Sequence, residues 1–261
     1  MFPLKDNIPP RRFPILTVAL IAANIAMFFA FQGAFIGEQS GFDERVVDYG
    51  AIPYELSHPG ETCEVRAGGA RLLCEGMEGV TGEEGDQPST WLTILTSMFM
   101  HGGLLHLLGN MLFLWVFGNN IEDSMGRARF AGFYLLGGVA ALGAQTAIDP
   151  GSAVPTIGAS GAVAAVLGGY ALLYPRARVV TLIFIVIFFT VIELPALLVL
   201  GAWFLLQAFN GVTEIAQPVA GGGGVAYFAH IGGFLFGLAA VRLFADRIHH
   251  DYERAHRAPV Y

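Results

Sequence analysis

Gly158-Ala159-Ser160-Gly161 opens a run of small and apolar residues that continues from Ala162 to Leu173. The run reads as a membrane-spanning helix. Ser160 then stands near a helix N-terminus, flanked by glycines, in an apolar setting. A serine hydroxyl is a weak nucleophile and needs a base beside it. The next chemically useful group outward is His230, in Ala229-His230-Ile231-Gly232-Gly233, which opens the last apolar run. A polar pair, His106 and Asn110, lies in the second run. Three apolar runs therefore each offer polar side chains to one buried site.

Composition agrees with a membrane setting. The 261 residues are 54% hydrophobic and 13% charged, against roughly 25% charged in soluble domains. So little charge cannot coat a soluble globule, but it suits a chain that crosses a bilayer several times. Polar groups inside such runs are costly and functional by default.

Six runs are long enough, or nearly so, to span. They cover residues 13–35, 94–117, 130–148, 157–174, 193–209 and 225–244. The first lacks a small-residue cleavage site after it and reads as a retained span rather than a signal peptide. Asn24 within it fits a packing hydrogen bond to a neighbouring helix. Gly118-Asn119-Asn120-Ile121-Glu122-Asp123 is expected to end the second. Residues 179–209 are too long for one span, and Pro195 marks a break because proline lacks the amide donor. The β-branched stretch before Pro195 would lie at the interface or extend the fifth span. The expected fold is all-α and polytopic, with six transmembrane helices.

Charge sets the orientation. Residues 36–90 hold twelve acidic residues against three arginines, and both cysteines. The eleven lysines and arginines outside that loop, from Lys5 to Arg257, all fall on the other side of a six-span chain. Basic residues near spans mark the cytoplasmic side. The N-terminus (1–12) and the tail (245–261) are then cytoplasmic, and the acidic loop (36–90) and a second loop (210–224) lie outside. A bacterial cell membrane is the expected location. Cys63 and Cys74 would face an oxidising compartment, where a disulfide is favoured over free thiols. Residues 60–87 are rich in Gly and Glu, a composition that favours partial disorder. His249, His250 and His256 read as solvated residues of the tail.

The chemistry follows from spacing. His106 and Asn110 are four apart and share one helix face. Alone they could equally be a satisfied contact between helices. The His-Glu-x-x-His pattern of zinc proteases is absent, so the pair does not read as a metal site. Gly161, Gly168 and Gly169 follow Ser160, while Gly233 and Gly237 follow His230 in a Gly-x-x-x-Gly pattern. Small residues let helix backbones approach, which a short serine needs to reach an imidazole at about 2.6–3.2 Å. The Ser160 amide, His106 and Asn110 can donate to an oxyanion. No acid is placed to orient His230. Glu193, the intramembrane carboxylate, is expected near the cytoplasmic end of its span, so a Ser–His dyad is the simpler reading.

These motifs resemble the rhomboid family of intramembrane serine proteases. The resemblance rests on Gly158-Ala159-Ser160-Gly161, His106-x-x-x-Asn110 and Ala229-His230-x-x-Gly233-x-x-x-Gly237. It extends to Gly118–Asp123 with Gly126-Arg127 and Phe130, and runs from about Trp91 to Gly237. It implies one membrane domain over residues 1–261, a six-helix bundle of the rhomboid type. It also implies Ser160 as nucleophile and His230 as general base. His106, Asn110 and the Ser160 amide would form the oxyanion hole, and His101 would be structural near the cavity mouth. The acidic loop would lie partly in the bilayer, and the fifth span and the 210–224 loop would act as gate and cap. Substrates would be single-span membrane proteins; the lipid bilayer is the other partner, no nucleic acid is expected, and the resemblance implies no metal or organic cofactor. Two departures stand out. The first loop has Thr90-Trp91-Leu92-Thr93 where many relatives carry Trp-Arg. Ala164 stands where some bacterial relatives place a tyrosine against the histidine, so the sequence names nothing to hold the His230 ring. A catalytically inactive relative that binds membrane proteins, and a six-span transporter, are the competing readings.

Overall fold

The computed structural model describes residues 2–33, 39–65, 72–76, 88–185, 188–216 and 225–246. In chain order the elements are β1 (Phe2–Asp6), α1 (Ile15–Phe31), α2 (Gln39–Tyr49), α3 (Pro53–Ser57), β2 (Cys63–Val65), β3 (Leu72–Cys74), α4 (Thr90–Phe99) and α5 (Leu104–Met125). They continue with α6 (Arg127–Ile148), α7 (Ser160–Leu173), β4 (Arg178–Ile185), β5 (Phe188–Pro195), α8 (Ala196–Ala216) and α9 (Tyr227–Phe244). The mostly helical, membrane-type architecture is as expected. Four helices, α5, α6, α8 and α9, are long and apolar enough to cross a membrane, while α1, α4 and α7 are shorter. The outward faces of the four long helices carry exposed Leu108, Leu136, Leu205, Phe209 and Leu243, the composition a helix shows to lipid rather than water.

α7 is the centre of the bundle: nearly every residue from Gly161 to Leu173 is buried. It is flanked by α6 and α9 through bare backbone. A Cβ added at Gly233 would fall on the Gly161 carbonyl, one at Gly237 on the Ala165 carbonyl, and one at Gly168 on the Phe234 carbonyl. Gly137 and Gly161 make the same kind of approach between α6 and α7, against Ala165 and Ala141. Small residues thus set the interhelical distance, as membrane packing requires.

Several boundaries differ from the sequence reading. The second run does not begin at residue 94. It is broken at Met100–Gly103, where the Gln32 side chain clamps the backbone of His101. Gln32 Nε2 donates to the His101 carbonyl and Gln32 Oε1 accepts from the His101 amide, both at 2.9 Å. Nor does Gly118-Asn119-Asn120-Ile121-Glu122-Asp123 end that helix; α5 continues to Met125 and stops at Gly126, whose φ is +77°. Most of these polar atoms are tolerated because distant partners satisfy them; Asn120 Oδ1 is buried without a partner among the described residues. Glu122 accepts the amides of Leu16 and Thr17 at 3.0 and 2.7 Å and the Thr17 hydroxyl at 2.8 Å, capping α1. Asn120 Nδ2 donates to Asp6 at 2.6 Å, and Asp123 accepts from the Arg11 amide at 2.9 Å. Asn24 turns its amide back onto the Leu20 carbonyl at 2.8 Å; across the bundle it faces Tyr134.

The all-α expectation is corrected by two small sheets. Residues 178–185 and 188–195 pair as antiparallel strands, and β1 joins β4 on its other edge to give the order β1-β4-β5. Val179, Val180, Thr181, Thr190, Val191 and Ile192 are β-branched and fit a pleated surface better than a helix. Pro195 is the last residue of β5, so the break falls where proline predicted it. Glu193 therefore lies in a strand, not in a span, and takes the Arg178 guanidinium at 2.8 Å. α8 runs on to Ala216, so the second outer loop cannot begin at 210, and residues 217–224 lie outside the described residues. The tail from 247, with its three histidines, lies outside them as well.

The acidic segment has structure of its own. Cys63 and Cys74 face one another on β2 and β3 and are joined by a disulfide. Tyr54 donates to Glu61 at 2.6 Å, and Glu55 accepts the Cys63 amide at 2.9 Å. Residues 66–71 and 77–87 of the Gly- and Glu-rich stretch lie outside the described residues. The segment rests on the connection before α7: Ala51 bridges Thr156, and the Tyr54 amide donates to Ser152 at 3.0 Å. It thereby walls the end of the bundle where Ser160 lies.

Candidate active site

Ser160 is the first residue of α7. Two residues earlier Gly158 holds φ +120°, which strains any residue with a Cβ. Its amide donates to the Ser97 carbonyl at 2.8 Å, tying the turn to α4. A Cβ at Gly158 would stand 2.7 Å from His106 Nε2 and 3.5 Å from Ser160 Oγ. The imidazole of His106 and the serine hydroxyl thus flank the same bare backbone.

His106 and Asn110 lie one turn apart on α5. The Gly102 amide approaches His106 Nδ1 at 3.4 Å, which favours a proton on Nε2, the nitrogen over Gly158. His101 is fully buried and set edge-on to His106, with ring centroids 5.1 Å apart. It does not line the cavity; it backs the ring that does. Asn110 is buried, and its Nδ2 has no hydrogen-bond partner among the described residues. Leaving such a donor unpaired costs about 1–3 kcal/mol, so it is a group held ready for an acceptor.

His230 sits in the first turn of α9. Its Nε2 is 2.8 Å from Ser160 Oγ, and its Nδ1 is 2.8 Å from Gln207 Oε1. The Trp203 ring lies over the same imidazole, with centroids 5.8 Å apart and planes at 37°. Sequence reading found neither Trp203 nor Gln207. The available signal was their four-residue spacing in the fifth run, which puts both on one face. Upstream, Gln145 Oε1 of α6 accepts the Ala229 amide at 3.2 Å, fixing the start of α9.

Ser160, His230, His106 and Asn110 all line one open cavity of about 1010 Å³. Its other walls are largely apolar, with Phe113 of α5 and Trp203 of α8 side by side, ring centroids 6.5 Å apart. Gly158 and Gly161 lie behind Ser160 in a smaller recess. Gly233 and Gly237 take no part in the lining; they bring α9 onto the α7 backbone. A hydroxyl hydrogen-bonded to an imidazole, beside an unpaired amide donor, is an arrangement able to accept an acyl group.

Comparison with known proteins bears on the same region. The sequence model of the rhomboid domain matches residues 88–247. The mitochondrial Rhomboid protein 1 of Saccharomyces cerevisiae is 30% identical over 161 residues, 59% of this chain and 42% of that protein. The human mitochondrial presenilin-associated rhomboid-like protein is 30% identical over 152 residues, 56% of this chain and 36% of that protein. Rhomboid protease GluP of Bacillus subtilis is 31% identical over 161 residues, 62% of this chain and 24% of that protein. The matched stretch spans less than half the length of each of these relatives.

Proposed function

The chain belongs to the rhomboid family, and from that premise we propose that it is an intramembrane serine endopeptidase that cleaves single-span membrane proteins. The observation that carries this reading is the 2.8 Å approach of His230 Nε2 to Ser160 Oγ inside a cavity that also holds the unpaired Asn110 amide. His230 takes the Ser160 proton as Oγ attacks the scissile carbonyl. The charge that develops on the carbonyl oxygen meets the Ser160 amide, His106 Nε2–H and Asn110 Nδ2–H. The tetrahedral species collapses, His230 returns the proton to the departing amine, and an acyl-enzyme remains. A water activated by the same imidazole then releases the new carboxylate and restores the hydroxyl.

Six spans, α1 and α5 to α9, with both termini cytoplasmic, complete the proposal. The strands β1, β4 and β5 would then lie on the cytoplasmic side, and the disulfide-bonded segment on the opposite side. The bacterial cell membrane expected from the sequence gains no support from these relatives, two of the three being mitochondrial by name.

The test is cleavage in liposomes of a single-span protein with small residues near one end of its helix. Wild type is expected to cut it, and Ser160→Ala to lose at least about 10⁴-fold in rate. Binding without cleavage by wild type and Ser160→Ala alike would favour the inactive, membrane-protein-binding reading.

A further inference from the structure

A Ser–His pair works only if the imidazole presents a lone pair to the serine. Neutral imidazole has two tautomers, and the group bonded to Nδ1 selects between them. In serine proteases built on a triad, a carboxylate accepts from Nδ1–H and fixes both the tautomer and the ring. No carboxylate is within hydrogen-bond distance of His230 among the described residues. What stands at Nδ1 is Gln207 Oε1, at 2.8 Å. Gln207 is 8% exposed and is the one buried polar side chain among the described residues of α8. An amide buried on an apolar helix needs a reason, and its one direct partner at Nδ1 is the base.

We infer that Gln207 is a positioning residue. Its side-chain carbonyl accepts Nδ1–H, leaves the Nε2 lone pair facing Ser160, and with Trp203 takes the place of the missing third group. This deepens the protease reading and rests on it for its kinetic consequence, though not for its structural one. The opposite amide orientation would place an N–H against Nδ1, put the proton on Nε2 and disable the base. The carbonyl orientation is the one that lets His230 accept from Ser160.

The position of Gln207 adds a condition. α8 meets the bundle through a narrow face, Ala196, Val199, Leu200, Gln207 and Gly211, while Leu197, Leu198, Leu205, Leu206 and Phe209 are exposed. Trp203 and Gln207, one turn apart on that helix, both address His230. The Gln207 contact to Nδ1 therefore depends on α8 being docked on this face.

Two variants test the inference. Gln207→Leu fills the space without an acceptor; Gln207→Glu, when ionised, can only accept. Turnover is expected to fall roughly 10–100-fold in Gln207→Leu with KM unchanged. That is less than the roughly 10⁴ lost when a triad carboxylate becomes an amide, because leucine does not impose the wrong tautomer. Gln207→Glu should recover most of the loss. Nitrogen-15 spectra of histidine-labelled protein, with His230→Ala to assign the signal, read the tautomer without any substrate. Wild type should show a protonated Nδ1 and a bare Nε2, and Gln207→Leu a mixture of both forms. Wild-type turnover or an unchanged tautomer in Gln207→Leu overturns the role, as does failure of Gln207→Glu to rescue a folded protein. If wild type cleaves nothing while the tautomer responds as stated, the protease reading fails and the positioning role stands.

Discussion

α7 carries two polar clusters that differ in how their hydrogen bonds are spent. Its first residue, Ser160, faces His230, His106 and Asn110. Ten residues on, about 15 Å along the helix, Tyr170 donates to Asp6 at 2.5 Å. Around Tyr170 the carboxylates are filled. Asp6 also takes Asn120, Glu122 takes two amides and a hydroxyl of α1, and Asp123 takes the Arg11 amide. Around Ser160 the Asn110 Nδ2 has no partner among the described residues, and the cavity that Asn110 helps to line is open. Satisfied polar groups hold an apolar bundle in register; unsatisfied ones cost stability and are available to a ligand. One helix thus joins a fastening to a working site.

The contrast breaks first at Asn110. Asn110→Leu should slow cleavage about 10²–10³-fold, the usual loss for one oxyanion donor. It should leave the thermal midpoint unchanged or raised, because it deletes an unpaired buried amide. A fall in midpoint with full activity would place Asn110 among the fastenings.

Glu122→Ala should do the reverse. It strips the acceptor from two amides and a hydroxyl at the start of α1 and is expected to cost about 2–4 kcal/mol. Unfolding in mixed detergents measures it. Molecules that remain folded should keep the reactivity of Ser160. Lost reactivity in a fully folded variant would show that the two clusters are coupled.

Asp6 sharpens the comparison by the smallest margin. Burial raises its carboxyl from the ordinary 3.8 to about 7, against the opposing bonds from Tyr170 and Asn120. Between those values the folded state binds more protons than the unfolded one, so stability falls as pH rises from about 4 to about 7. Asp6→Asn can still accept from both donors and should flatten that slope. The expected change is a thermal midpoint that drops about 5–10 °C between pH 5 and pH 8 in wild type only. Equal slopes in both proteins would locate the titration elsewhere.

How much of this was legible varies with the range of the interaction. The Ser160 and His230 motifs were readable because short polar stretches stand out in apolar runs, and the glycine spacing announces close helix packing. The end of α5 was not. Asn120 and Glu122 look like a helix terminus until Asp6 and Thr17, more than a hundred residues away, are seen to satisfy them. The strand pair at 178–185 and 188–195 was hidden because an unbroken apolar, β-branched run has no period to separate strand from helix. Gln207 escaped notice because a lone polar residue in an apolar run gives no hint of the histidine it faces 23 positions later.

Activation of Ser160 by His230 can be tested without a substrate. Purified protein is treated with a fluorophosphonate, and the adduct is located and quantified by mass spectrometry in wild type, Ser160→Ala and His230→Ala. A single adduct on Ser160 is expected in wild type, none in Ser160→Ala, and labelling slowed at least about 100-fold in His230→Ala. Folded wild-type protein that takes no label, or equal labelling of Ser160 without His230, would contradict activation by His230.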